Sequence, residues 1–305
     1  MPRKFTSPAA TITAAIIERL EAGTAPWVKP WKTGQGGFSR PLRANGVPYR
    51  GMNTFWLWMV ADAKGFGSPS WMTYRQAAEL GGQVRKSEKS TIAIFYKTYE
   101  KEVETPRGEP DTETRRVLRS YSVFNADQID GLPERYRPAL AEIPIADPGG
   151  RRADLDAFFG CIPVPVRQHG DRAYYEPAAD RITMPPPSLF DDYEHYYATL
   201  AHECAHATGH GSRLDRNLKG RFGDQAYAAE ELIAEMTAAM LGAEVGLPTR
   251  HLDHHASYIA SWLKLLRKDD RAILTAAAKA EAASDWLLGS GRGSLVGSPV
   301  AIAAA

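Results

Sequence analysis

Tyr193-Glu194-His195-Tyr196-Tyr197-Ala198-Thr199-Leu200-Ala201-His202-Glu203-Cys204-Ala205-His206-Ala207 is the stretch that decides the architecture of this 305-residue chain. Tyr193, Tyr197, Leu200, Cys204 and Ala207 recur at helical spacing, so the segment reads as a helix with one apolar face. His202 and His206, four residues apart, project from the other side with Glu203 beside them. Neutral imidazoles are good zinc ligands. A pair at i and i+4 supplies two of the three protein ligands of a catalytic site and leaves a position for water. Glu203 then stands as the general base. Gly209, one turn past His206, is expected to stop the helix.

The third ligand has to come from elsewhere. Residues Tyr227 to Leu247 form the next strongly helical segment, dense in Ala, Glu, Leu and Met. Glu231 and Glu235 share a face with Ala238 and Gly242, whose small side chains would let this helix lie close against the first. Glu231 is the expected third ligand, with Glu230 as the alternative. Glu235 is expected to hold His202 or His206 in its tautomer through a hydrogen bond. A third histidine at HExxHxxGxxH spacing would fall on Ser212, and His210 comes two residues too early. His210 is kept as a substrate-side or supporting group. His195, His251, His254 and His255 read as surface or satisfied polar residues. The set His202, His206 and Glu231 leaves one position open, which fits a hydrolytic site better than a structural one. Zn²⁺ is the expected cofactor, with Mn²⁺ or another divalent metal as alternatives.

Length and composition bound the rest. A chain of 305 residues is long enough for two domains, each with its own core. Two cysteines, Cys161 and Cys204, argue against a disulfide framework and fit a reducing cytoplasm. The basic N-terminus runs directly into Glu18-Arg19-Leu20-Glu21, and no signal peptide or membrane span is read from the chain. The net charge of +1 hides an asymmetry. Residues 1–98 carry 14 Lys/Arg against 5 Asp/Glu, whereas residues 144–305 carry 16 against 21. Five of the seven tryptophans, Trp27, Trp31, Trp56, Trp58 and Trp71, lie in the basic part. Cations follow phosphates while flat side chains stack on unpaired bases, so this composition points to single-stranded nucleic acid. Trp56 and Trp58, inside an apolar run, are assigned to the core. Trp27, Lys29, Trp31, Lys32, Tyr49, Arg50, Asn53, Trp71, Tyr74, Arg85, Lys86 and Lys89 are the expected DNA-binding residues.

The organisation is α+β in two domains. Residues 1–143 are read as the nucleic-acid domain, with helices from Ala9 to Ala22, Asn53 to Lys64 and Tyr74 to Leu80. Strands follow from Thr91 to Lys101 and from Val117 to Asn125, joined by a loop from Glu102 to Arg116. Residues 144–152, rich in Pro and Gly, read as a linker. Residues 153–289 begin with a helix from Ala153 to Gly160 and three short strands, Pro163 to Gln168, Ala173 to Glu176 and Arg181 to Met184. Beyond the Glu231 helix come helices from Tyr258 to Lys268 and from Arg271 to Leu288. Residues 290–305 read as a disordered tail.

Several separated motifs carry a resemblance. Pro26-Trp27, Pro30-Trp31, Tyr49-Arg50-Gly51-Met52-Asn53, Trp71-Met72-Thr73-Tyr74-Arg75-Gln76, Gly81-Gly82, Val84-Arg85-Lys86 and Phe124-Asn125-Ala126-Asp127-Gln128 resemble the single-stranded-DNA-binding N-terminal domain of ArdC-type antirestriction proteins. Arg181-Ile182-Thr183-Met184-Pro185, Leu200-Ala201-His202-Glu203, Thr208-Gly209-His210, Glu230-Glu231-Leu232 and Tyr258-Ile259-Ala260-Ser261-Trp262 resemble that family's zincin-like metallopeptidase domain, of gluzincin type. Cys204 stands where these domains usually have Leu. The resemblance implies a protein of conjugative or mobile elements that shields incoming single-stranded DNA from host restriction, with a host protein as a possible peptidase substrate and no membrane partner. Related N-terminal domains also occur fused to primases.

Overall fold

Ser7 opens the first helix, α1 (Pro8–Glu21), by accepting the Ala10 N–H at 3.0 Å, and Pro8 fits the first turn because it has no N–H to leave unsatisfied. The computed structural model describes residues 7–24, 27, 40–104, 110–136, 150–218, 224–247 and 256–292. Lys29, Trp31, Lys32, His251, His254, His255, most of the expected linker and the tail beyond residue 292 lie outside these residues.

A short strand, β1 (Leu42–Arg43), is followed by α2 (Met52–Lys64), β2 (Ser70–Met72), α3 (Tyr74–Glu79) and β3 (Gln83–Val84). Gly51 precedes α2 at φ 57° and ψ −135°, a conformation that side chains with a Cβ rarely adopt. Two long strands follow, β4 (Thr91–Glu104) and β5 (Pro110–Asn125), paired antiparallel along their whole length from Thr91↔Val123 to Glu104↔Pro110. The loop expected over 102–116 is therefore mostly strand. The sheet order is β1-β2-β5-β4, with β1 parallel to β2 and the other pairs antiparallel. The strand β6 (Ile129–Asp130) pairs with β3 in a separate two-stranded ribbon.

Helix α2 closes the free edge of β4. The Asn53 amide exchanges two 2.8 Å hydrogen bonds with the Ile94 backbone, and Trp56 Nε1 donates to the Ile92 carbonyl at 2.8 Å. Unpaired strand groups are costly when buried, and here side chains satisfy them.

The second half begins with α4 (Ala153–Gly160) and the strands β7 (Val166–Gln168), β8 (Tyr174–Glu176) and β9 (Arg181–Met184), which form a three-stranded sheet in the order β7-β9-β8. Among the described residues, four helices complete it: α5 (Tyr193–Ala207), α6 (Gln225–Val245), α7 (Ala256–Lys268) and α8 (Ala272–Gly291). The expected apolar face of α5 is buried, with Tyr197, Leu200, Cys204 and Ala207 packed with Ala238 and Leu241 of α6. Helix α8 runs to Gly291, beyond the residue at which a disordered tail was expected. Gly209 does not stop α5, whose cap is Thr208 in a right-handed conformation. A Cβ at Gly209 would stand 2.8 Å from Leu218 and 3.1 Å from both the Arg216 guanidinium and the His206 carbonyl, so glycine leaves room for the returning loop to pack closely. Gly242 likewise makes room for the carbonyl of Leu247 at the end of its own helix rather than for α5.

The fold is α+β in two parts, but the parts share a core. Ile12, Ile16 and Leu20 of α1, with Phe55 and Met59 of α2, pack in one cluster with Leu232, Met236 and Met240 of α6, Trp262 of α7 and Ile273 of α8. Glu281 of α8, only 5 % exposed, accepts hydrogen bonds from Arg40 and from the Gly51 N–H at 2.7 Å. Arg50 reaches both Glu281 and Asp285. Among the described residues, no helix is long and apolar enough to cross a membrane.

Candidate metal centre

Asp192 starts α5 by accepting the His195 N–H at 2.8 Å, and the helix then carries His202 and His206 on the face opposite its buried tyrosines. Their Nε2 atoms converge to 3.1 Å, with ring planes at 82°. Glu231 on α6 faces both: one carboxylate oxygen lies 3.5 Å from His202 Nε2 and the other 3.5 Å from His206 Nε2. One donor atom from each of the three lies within 4.8 Å of the others. Two nitrogens each about 2.0–2.1 Å from a tetrahedral zinc would stand about 3.3 Å apart, so the donor spacing fits a small divalent cation.

Each imidazole has a second carboxylate behind it. Glu235 lies 3.7 Å from His202 Nδ1, and Glu230 lies 3.3 Å from His206 Nδ1. A hydrogen on Nδ1 facing these acids leaves the Nε2 lone pairs directed at the shared point. Burial disfavours a proton on His202, but the hydrogen bond to Glu231 and the charges of Glu235 and Glu203 outweigh it and push the imidazole up to about 10. Burial also raises Glu231, yet the hydrogen bond with His202 and the His206 charge hold it below the usual carboxylate range. The Tyr227 hydroxyl donates to Glu231 and lies 3.3 Å from the Tyr258 hydroxyl.

Glu230 is turned away from its expected alternative role by Arg216. This buried guanidinium donates to both Glu230 oxygens, at 2.7 and 3.0 Å, and two further hydrogens go to the Ala205 carbonyl at 2.8 Å and the Thr208 hydroxyl at 2.7 Å. One side chain thus ties the end of α5 to the start of α6 and fixes the acid behind His206. Sequence reading missed Arg216, because a lone arginine in a loop has no periodic signature. It also missed Tyr227 and Tyr258. Glu203 is buried beside His202, and its charge is felt by His202 and Tyr258. His210 bonds to Ser212 at 2.8 Å and lies 3.9 Å from Asp180, and among the described residues no hydrogen bond or ion pair joins it to the three converging side chains.

The expected DNA-binding residues are divided. Trp27, Trp71, Tyr49 and Asn53 are buried, so they are core residues and not an open stacking surface. Trp27 packs on Trp262, Trp71 on Phe66, Tyr49 against Tyr121, and Asn53 serves the β4 edge. Arg50 pairs with Glu281 and Asp285, and Arg85 with Glu88 and Asp130, while both side chains stay exposed. Tyr74, Lys86 and Lys89 remain exposed.

Comparison with known proteins gives the same two parts. Residues 7–124 match the model of the N-terminal domain of anti-restriction factor ArdC, and residues 153–279 match that of a zincin-like metallopeptidase. A Sinorhizobium fredii protein designated y4eC is 40 % identical over 281 residues, covering 90 % of each chain. DNA primase TraC of Escherichia coli is 39 % identical over 296 residues, but the match spans 91 % of this chain and only 26 % of the primase. The metal-free crystal structure of the antirestriction ArdC protein from plasmid R388 superposes with a TM-score of 0.79 at 44 % identity, covering 94 % of this chain and 98 % of that one. Its Mn(II)-bound structure gives 0.77 at 43 % identity, covering 93 % and 98 %.

Proposed function

The chain belongs to the ArdC-type antirestriction family, and from that membership we propose that it protects incoming single-stranded DNA of a mobile element from host restriction and carries a metal-dependent hydrolytic site. The convergence of His202, His206 and Glu231 beside Glu203 is the observation that carries the hydrolytic part. Nε2 of each histidine and the Glu231 carboxylate would hold a divalent ion, zinc or the manganese found in the R388 relative, and that ion would supply Lewis acidity toward water and a peptide carbonyl. Glu203 takes the proton from the attacking water at its carboxylate and delivers it to the departing amine. Glu230 and Glu235 orient the two imidazoles, and Arg216 holds Glu230 in place.

Single-stranded DNA is the expected ligand of the basic first half. Transferred DNA of conjugative elements enters as a single strand, so a coat on that strand delays formation of cleavable duplex. Transfer of a conjugative plasmid into restricting and non-restricting recipients tests the reading, comparing the wild type with Glu203→Ala. Rescue by the wild type alone makes hydrolysis part of protection and calls for a host protein substrate. Equal rescue assigns protection to the grip on DNA. Failure of both removes the antirestriction reading. The TraC likeness favours a second reading, a DNA-handling module of mobile-element replication, in which the chain alters transfer equally in both recipients.

A further inference from the structure

The β4–β5 hairpin outruns the helix that shields it. Side chains of α2 cap the β4 edge at Ile92 and Ile94, and beyond that point Phe95, Tyr96 and Tyr99 are 45 %, 54 % and 41 % exposed. Open strand edges bearing aromatics favour aggregation, so such a surface calls for a ligand. Cross-strand partners point to the same side of a ribbon. The pairs Ala93↔Tyr121, Phe95↔Arg119, Lys97↔Val117 and Tyr99↔Arg115 therefore place Phe95, Tyr99 and Tyr121 on one face with Lys97, Arg115 and Arg119. Phe95 and Tyr121 meet edge to face at 5.8 Å. From residue 91 to 99 and across to residues 115–123 this face has three cations and no acid. Lys97 and Arg119 are both exposed. The opposite face sets Ile92, Ile94 and Leu118 against the shared core and carries, farther out, Tyr96 beneath Arg116, 5.9 Å from the ring centroid, together with Thr98 and Glu100.

We infer that the Phe95–Tyr99–Tyr121 face of this hairpin is the surface on which single-stranded DNA lies, with bases stacked on the rings and phosphates beside Lys97 and Arg119. Flat rings alternating with cations match unpaired bases on a charged backbone, whereas a duplex hides its base faces. The inference rests on the single-strand-binding reading proposed above, and it moves the contact away from the buried Trp27, Trp71 and Tyr49.

The test titrates the full-length protein against a fluorescein-labelled oligo-dT and the corresponding dA·dT duplex, following anisotropy as salt is raised. Wild type should bind the single strand more tightly than duplex. Phe95→Ala with Tyr99→Ala should weaken binding by about 5- to 150-fold for each ring that stacks. Lys97→Gln with Arg119→Gln should lower the slope of log affinity against log salt by about 1.4, about 0.7 for each phosphate that is no longer neutralised. Tyr96→Ala, on the opposite face, should leave affinity unchanged. Unaltered melting temperatures confirm that all three variants fold. Wild-type affinity in both double variants overturns the hairpin face while leaving single-strand binding standing. No binding by the wild type overturns both, and equal affinity for duplex overturns the stacking basis.

Discussion

Trp27 lies edge-on to Trp262, with ring centroids 5.2 Å apart and planes inclined at 72°. Trp262 donates its indole N–H to the Ala228 carbonyl at 3.0 Å and stacks on Tyr258, whose hydroxyl lies 3.3 Å from that of Tyr227. Tyr227 in turn donates to Glu231. A continuous line of packed rings and hydroxyls therefore joins the N-terminal part to the acid facing both histidines. A ring set to meet a base would be open to solvent; Trp27 is instead a structural keystone between the halves.

Trp27→Ala is therefore expected to destabilise the whole molecule, by about 3–5 kcal/mol for the loss of a large buried ring. Because the core is shared, heat should melt wild type in one calorimetric transition that moves down as a unit. Two separated transitions, with only the first shifted, would refute the shared core.

Arg216→Ala should cost about 3–5 kcal/mol, because it leaves the buried Glu230 carboxylate without its counterion. The same change frees Glu230 from its position behind His206, and metal affinity measured against a competing chelator should fall about 10- to 100-fold. Arg216→Lys should restore little of either, since an ammonium cannot donate to both carboxylate oxygens in the planar fork. Unchanged affinity in a folded Arg216→Ala variant would detach Glu230 from the site.

Asp180 sets an acid limit. The Arg213 hydrogen bonds, opposed by burial and aided by Tyr175, hold its carboxyl below the usual range. Arg213 also donates to the Ala207 carbonyl at 2.7 Å, so the pair anchors the loop leaving α5. A depressed carboxyl stabilises the fold above its unfolded pKa of about 3.9, and that contribution is lost as pH falls through the lower folded value. The pair is partly solvated, so the contribution is about 1 kcal/mol or less. Urea unfolding of the metal-free protein between pH 3 and 6 should show wild type losing its advantage over Asp180→Asn toward the acid end. Parallel curves would remove Asp180 from the acid response.

Local periodicity made much of this legible. The helix from Ala153 to Gly160 was readable to the residue, and α5 declared both its buried tyrosine face and its histidine face. Two-residue strands such as β1, β3 and β6 are too short to show alternation, so they were invisible. The shared core was hidden for another reason. Trp27 and Trp262 find each other across most of the chain, and no local pattern marks an aromatic as core rather than ligand surface. The same ambiguity concealed Phe95, Tyr99 and Tyr121, whose common face exists only once the hairpin register is known.

Glu203 is the residue whose role separates a working hydrolytic site from a cation-binding scaffold. It follows His202 directly, is 7 % exposed, and adds its charge to that felt by His202. Glu203→Gln keeps the shape and the helix but removes the acceptor of the water proton. The expected outcome is metal stoichiometry equal to wild type by atomic absorption, with cleavage of a fluorogenic peptide library reduced about 10²- to 10⁴-fold. Retained cleavage would deny Glu203 the role of base. Lost metal would make its carboxylate part of the binding set. Wild type that binds metal yet cleaves nothing in the library would leave the ligands as a scaffold, and the proposed protection would then rest on the proposed DNA contact alone.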